Sequence, residues 1–420
     1  MKKFHIQNLQ KKCGKTSEPL LHTKRMAVVG CYLFLMRKIV LFLAEKTSVL
    51  FYRMYSFGGK HLESCVFDEE FKTHVEEEQS NMYTDYSDTY TSKEEKERAD
   101  NYLNYDITLE ETEAVLQRLQ NGKSPGPDNI FTDMLKSAGE EMTKAIHTLF
   151  QMSWETSKVP DEWKEAEVKF LRKSGKKSYH DASSYRPISL TSCLCKCLER
   201  LITHRLYGFV EHFGLLDDEQ EGFRRFRGTT DALLRLTQSI FNGFNKKEHT
   251  AALFIDLEKA YDSVWREGLM FKLKKLGLSG RVWKWINSFL VDRQAMISMG
   301  GNKGPHFATN IGLPQGSVLA PLLFNLFIRD MFDGINCQCV KFADDGTIWK
   351  NGNNVTEILS FLEVDLKVIL QWAKKWRMKI SLSKTEFVFS HWMSVQLNRQ
   401  ECTTLQLITR QLCTTKIRKS

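Results

Sequence analysis

Residues 340–349 read VKFADDGTIW, two short apolar arms around a pair of acids, Asp344 and Asp345. Upstream, residues 250–262 read TAALFIDLEKAYD, an apolar run that ends on a third acid, Asp256. The first stretch has the form of a β-hairpin, a polar turn between apolar strands. The second has the form of a buried strand. Successive strand residues face opposite sides, so a tight turn is needed for Asp344 and Asp345 to reach one place. A buried carboxylate is costly unless a cation or hydrogen bonds compensate it. Alone, Asp256 reads equally well as a cap for the next helix, and an isolated DDG as an ordinary turn. Together, in a chain of formal net charge +9, the three acids read as a site for divalent cation and phosphate. Mg²⁺ takes one or two protein carboxylates and leaves room for water and phosphate oxygens. Two such ions can clamp the attacking and leaving oxygens of a phosphoryl displacement.

The bulk properties are compatible with that reading. The 420 residues suffice for two or three domains, and a hydrophobic content of 42% can bury a core. The basic balance, 60 Lys+Arg against 51 Asp+Glu, points to a polyanionic partner and says nothing of fold. Ten cysteines include Cys193, Cys195, Cys197, Cys337 and Cys339, but no CxxC pair with a matching second pair. That argues against a zinc site and for buried thiols in a reducing compartment. The segment 26–44, MAVVGCYLFLMRKIVLFLA, is strongly apolar but broken by Arg37 and Lys38. It is read as a buried or adventitious segment, not as a membrane contact, and it does not have a signal peptide's layout.

The patterning is uneven along the chain. Residues 1–105 form a poorly patterned leader. Within it, 68–100 is rich in Glu, Asp, Ser, Thr and Tyr and reads as a solvated, partly disordered linker. Order is expected from Thr108, which with Glu111 makes a capping box. The pattern predicts helices over 131–156, 193–213, 262–276 (capped by Asp262), 282–290 and 319–331, and helical spacing from Leu362 to Trp376. Strands are expected in EVKFLRKSGKK and at 254–257, 296–299, 380–382 and 387–389, with a hairpin over 340–349. Mixed helices and antiparallel hairpins make the fold class α+β.

Further motifs carry chemistry. In IGLPQGSVLAPLLFN, residues 311–325, a Gly- and Pro-bearing loop runs into a helix that Ser317 caps, and Gln315 can contact a nucleotide. The stretch 171–190, LRKSGKKSYHDASSYRPISL, holds Lys173 and Arg186, residue types suited to phosphate. In QEGFRRFRGTTDAL, residues 220–233, Arg224, Arg225 and Arg227 alternate with Phe223 and Phe226, which suits a nucleic-acid strand. Lys384 lies in a turn of SLSKTEFVF, where a lysine can give a proton to a leaving group. Each motif has a bland reading by itself: a solvated charge run, a packed aromatic, an exposed lysine.

In their order along the chain, NGKSPGPDNI, SYRPISL, QEGFRRFRGTTDAL, FIDLEKAYDSVW, GLPQGSVLAPLLFN, FADD and LSKTEF resemble the reverse transcriptase domain of non-LTR retrotransposons, near the jockey and LINE type. The resemblance runs from about Ile107 to Phe389. It implies a right-hand polymerase, with an N-terminal extension and fingers over 106–250, a palm over 251–390 and an unassigned tail at 391–420. No primer-grip segment follows Phe389, so the thumb is expected to be missing and the chain resembles a truncated copy. By matched position the resemblance implies that Asp256, Asp344 and Asp345 hold two Mg²⁺ ions, with Mn²⁺ as a substitute. Tyr261 would be a steric gate against the 2′-hydroxyl, which disfavours an RNA-synthesising enzyme. Gln315 and Gly316 would shape the nucleotide pocket, Lys173 and Arg186 would hold the triphosphate, and Lys384 would be the acid for pyrophosphate departure. Arg224, Arg225 and Arg227 would touch template or the base of the fingers. The implied partners are an RNA template, a DNA primer and dNTPs, at a nuclear or cytoplasmic location. The other reading is a catalytically silent nucleic-acid-binding fragment of such an element.

Overall fold

Two four-stranded sheets organise the chain, and helices fill the space around them. The computed structural model describes residues 93–175, 178–381 and 384–390. The apolar segment 26–44, most of the leader and the tail 391–420 lie outside the described residues. The first sheet has the order β2-β1-β4-β5: β1 is Glu165–Arg172, β2 Tyr185–Leu190, β4 Arg293–Met299 and β5 Asn302–Thr309. Within it β1 runs parallel to β4 and antiparallel to β2. The second sheet has the order β6-β7-β3-β8: β3 is His249–Asp256, β6 Gln338–Phe342, β7 Asp345–Gly352 and β8 Glu386–Ser390. Its pairings are all antiparallel. The mixture of helix and sheet fits the α+β class.

Strand β3 explains its own sequence. All eight of its residues are buried. Ala251, Leu253 and Ile255 join the main core, whereas Ala252 and Phe254 join a smaller cluster with Ala232, Leu236 and Ile240 of the helix Thr229–Asn245. The helix Val355–Lys375 is the counterpart in the main core, through Ile358, Leu359, Leu362, Leu366 and Ile369. A strand covered on both faces has no polar face, so its run is continuously apolar instead of alternating.

Several elements differ from expectation. The described chain is ordered from the helix Lys93–Tyr102, within the segment read as linker; Ala99 and Leu103 are fully buried, and the Tyr102 ring stacks on His212. The single helix expected over 131–156 is two, Thr132–Lys136 and Glu140–Thr156, separated at Gly139. Asp262 does not cap a helix. It sits in the 3-10 turn Ala260–Ser263, and the helix starts later, as Arg266–Lys275. The expected strand near Ile380 is a single bridge to Leu257, and residues 382–383 lie outside the described residues. The capping box forms as read: Glu111 N–H donates to Thr108 Oγ1 at 3.2 Å, and Thr108 N–H to Glu111 Oε2 at 3.0 Å. The same Glu111 carboxylate pairs with the buried Arg205, whose guanidinium also donates to the carbonyls of Tyr105 and Asp106. One arginine thereby fastens the N-terminal segment to the long helix Cys193–His212.

The β6–β7 hairpin is gripped from outside by the QEG segment. Glu221 N–H donates to Lys341 O at 2.8 Å, Lys341 N–H donates to Glu219 O at 2.7 Å, and Asn325 Nδ2 donates to Gly222 O at 2.8 Å. A Cβ on Gly222 would stand 2.1 Å from the backbone nitrogen of Ala343, so no other residue fits. We expect Gly222→Ala to destabilise the protein by about 3 kcal/mol, the upper range for overpacking, read as a lower midpoint in urea denaturation. A variant that unfolds together with wild type would mean that the turn yields freely.

Candidate active site

The pairing of β3 with β7 sets the acids. Asp256, the last residue of β3, lies opposite Asp345, the first of β7. Residues directly opposite on paired strands share a face. Phe342 pairs with Asp345, so the two-residue turn is Ala343-Asp344. Ala343 has φ 58°, a left-handed value, and Asp344 does not. That is the pattern of a II′ hairpin turn, in which glycine is usual at the first position. Asp256 and Asp345 are buried, and Asp344 is half-buried at the turn.

Charge couples these groups. Burial raises the Asp344 carboxyl above its ordinary range, and the Asp256 charge raises it further, while Lys384 and Arg186 pull it down. Lys384 Nζ lies 3.0 and 2.9 Å from the two Asp256 oxygens. The ammonium therefore stands where the site requires positive charge. Lys384 is placed by the turn after Ser381, whose N–H donates to Asp256 O at 2.7 Å and whose carbonyl accepts from Lys384 N–H at 3.2 Å. Among the described residues no three His, Cys, Asp or Glu side chains form a group that by itself could hold a metal ion. Asp256 and Asp344, near enough to repel, are hard oxygen donors of the kind Mg²⁺ takes.

Of the other residues that the sequence singled out, Lys384, Arg186 and Tyr261 interact with the Asp344 charge. Tyr261 stacks on Phe324 with centroids 4.8 Å apart and meets the edge of Phe223 at 6.4 Å. Burial holds its hydroxyl well above the ordinary phenol range, and the Asp344 charge adds to that. Gln315 Nε2 donates to Asp262 Oδ1 at 2.8 Å, while its carbonyl accepts from Ser189 N–H at 2.8 Å. Gly316 has φ 120°, and a Cβ there would lie 2.6 Å from Ser189 O. Strand β2, which carries Arg186, is thus joined directly to the PQG loop. Lys173 follows β1; its N–H donates to Ser184 O at 2.9 Å, and its carbonyl accepts from Tyr179 OH at 2.9 Å.

The arginines of the GFRRFR segment turn back on the protein. Arg224 forks onto Glu211 at 2.9 and 2.6 Å. Arg227 pairs with Asp218 at 2.7 Å, and Arg225 reaches His204 at 3.0 Å and covers the Tyr207 ring. Phe226, at φ 61°, is fully exposed. The sequence reading missed the residues that brace the site. Gly222 and Asn325 hold the hairpin, Glu199 receives hydrogen bonds from Ser317 Oγ, Val318 N–H and Leu319 N–H, and the buried Arg266 donates to loop carbonyls. A signal existed for two of them: Glu199 and Arg266 fall on the apolar stripes of their helices. The N-cap residue of the helix Ala320–Phe327 is Leu319, not Ser317 as expected; Ser317 stands two residues earlier, and its Oγ accepts from Leu319 and Ala320 N–H at 3.1 Å.

Strand β3 thus ends on one acid, and the hairpin paired to it carries two more. Residues 172–408 match the family model described as reverse transcriptase (RNA-dependent DNA polymerase), and the chain belongs to that family. The matched residues run past Ser390 to Ile408. The chain is 33% identical over 287 residues to the probable RNA-directed DNA polymerase from transposon BS of Drosophila melanogaster, covering 66% of this chain and 32% of that protein. It is 30% identical over 286 residues to the RNA-directed DNA polymerase from mobile element jockey of the same fly, covering 66% and 31%. A third relative, the probable RNA-directed DNA polymerase from transposon X-element, is 29% identical over 283 residues. The chain spans about a third of the length of these curated relatives.

The sign of the acid coupling is testable. A carboxyl whose folded-state pKa lies above its unfolded value destabilises the fold as pH rises through the folded value, and it has no such effect below the unfolded value. In the metal-free protein at pH 7 we therefore expect Asp344→Asn to raise Tm, and the gap to close below about pH 4. Added Mg²⁺ should raise Tm of wild type more than of the variant. A variant that melts below wild type at pH 7 without metal would show that the acids do not repel.

Proposed function

We propose that this chain is an RNA-directed DNA polymerase of retrotransposon origin, extending a primer 3′-hydroxyl with dNTPs on an RNA template. The observation that carries the reading is the placement of Asp256 opposite Asp345, with Asp344 close enough to feel the Asp256 charge. In this reading the second sheet is the palm and the first sheet belongs to the fingers. Asp256 and Asp344, with Asp345 beside them, would hold Mg²⁺, which when bound would supply positive charge to the reacting phosphate oxygens.

The chain's own groups divide the remaining work. Tyr261, fixed between Phe324 and Phe223, closes the floor of the sugar pocket and leaves no room for a 2′-hydroxyl. Gln315 and Gly316 present a narrow edge to the nucleotide, and Arg186 and Lys173 approach its phosphates from the first sheet. The primer 3′-oxygen bonds to the α-phosphorus as the bond to the pyrophosphate oxygen breaks. Lys384 donates a proton to the departing pyrophosphate, and the 3′-hydroxyl proton leaves to solvent. Arg224 and Arg227 shape the loop, and Arg225 and Phe226 are its exposed members.

Incorporation of dTTP on poly(rA)/oligo(dT) in the presence of Mg²⁺ is the direct test. Asp344→Asn is expected to lower the rate by about 10²–10³-fold or more, the scale for removing a group that stabilises transition-state charge. Steeply salt-dependent RNA binding without incorporation by wild type would overturn the reading. Tyr261→Ala is expected to raise incorporation of rNTPs relative to dNTPs roughly tenfold, by opening pocket volume. An unchanged ratio would remove Tyr261 as the gate.

A further inference from the structure

The segment 310–319, between β5 and the helix Ala320–Phe327, has no regular secondary structure, yet it carries Gln315 and Gly316. A loop without a strand or helix ladder must have its shape fixed by other hydrogen bonds. Two buried charged side chains supply them. Arg266, only 6% exposed, sends Nε to Gly312 O at 2.8 Å, Nη1 to Thr309 O at 2.5 Å and Nη2 to Ile311 O at 3.1 Å. Three carbonyls from four successive residues thus converge on one planar guanidinium, a geometry that no single-point donor can satisfy. At the other end Glu199, with no exposed surface, gathers Ser317 Oγ, Val318 N–H and Leu319 N–H on one carboxylate oxygen.

Between these clamps the loop lies on the Tyr261 turn. Gly312 N–H donates to Val264 O at 2.9 Å, Leu313 N–H to Tyr261 O at 2.7 Å, and a Cβ on Gly312 would come within 2.8 Å of the Asp262 backbone. The loop position is therefore communicated to the gate residue and to Asp262, the hydrogen-bond partner of Gln315. We propose that Arg266 and Glu199 are positioning residues of the nucleotide site: they set the loop 310–319 as a rigid shelf, so that their loss weakens dNTP binding without touching the grip on primer and template. This rests on the polymerase reading for the identity of the ligand.

The experiment measures equilibrium binding of radiolabelled dTTP with Mg²⁺, which requires no catalysis, beside binding of poly(rA)/oligo(dT) and the KM and kcat of primer extension. Arg266→Lys keeps the charge but cannot span three carbonyls; it should weaken dTTP binding and raise KM for dTTP about tenfold, with kcat and primer–template binding within about twofold of wild type. Glu199→Gln keeps one accepting oxygen but loses the charge and should weaken dTTP binding less than Glu199→Ala does, and Glu199→Ala should behave as Arg266→Lys. Melting curves identify the folded variants, and Arg266→Lys with Glu199→Gln allows the comparison even if Glu199→Ala does not fold. If folded Arg266→Lys binds dTTP as wild type does, or loses dTTP and primer–template alike, the positioning role is wrong while the polymerase reading stands. If wild type binds dTTP but extends no primer, and Arg266→Lys still weakens dTTP, the polymerase reading fails and the shelf survives. Failure of wild type to bind dTTP overturns both.

Discussion

A charge taken out of water must be met by a partner of opposite sign or by aligned dipoles, and this chain meets that requirement by tying loops to helices. Arg205 fastens the N-terminal segment, Glu199 and Arg266 fasten the loop 310–319, and Asp365 on the helix Val355–Lys375 accepts from the backbone N–H of Asn336 and Cys337 ahead of β6. Lys272, pulled down to about 7 by burial, reaches the Phe327 carbonyl and the Asp330 carboxylate. Breaking one member leaves an uncompensated buried charge, which costs far more than a surface pair contributes.

The acids at the end of β3 obey the same requirement with a different outcome. Here like charges are brought together, and the compensation is partial: Lys384 answers Asp256, whereas Asp344 is pushed upward. A carboxyl shifted by burial and by a specific charge beside it is a candidate functional position. The positive φ at Ala343 belongs to the same pattern. An alanine is held in a glycine-favoring turn because Gly222 leaves the turn no alternative space and β6 and β7 pair on either side of it. Such strain persists where the surroundings over-determine it.

Much of this was legible in the sequence, and the reasons are specific. The apolar run before Asp256 and the FADD turn announced a strand and a hairpin because their signals are local. The capping box at Thr108 was readable for the same reason. What failed to show was what depends on distant partners. Asp262 reads as a cap in a linear sequence but is used by Gln315. The GFRRFR arginines read as an exposed basic patch, yet Glu211 and Asp218, which share the surface with them, draw two of them inward. The break at Gly139 was hidden by an apolar face that continues on both sides. The buried charges were in view all along as interruptions of apolar helical stripes; their purpose required knowing which loop comes past.

The order of pairing in the first sheet bears on biogenesis. Strand β1 is made before its parallel neighbour β4, which emerges only after the whole of β3 and four intervening α-helices have been translated. Until then β1 and β2 form a two-stranded ribbon, which is marginal alone in water, with Phe170 and Leu171 at its surface. The nascent chain therefore carries an open strand edge until β4 is made, a window in which a chaperone has most to protect.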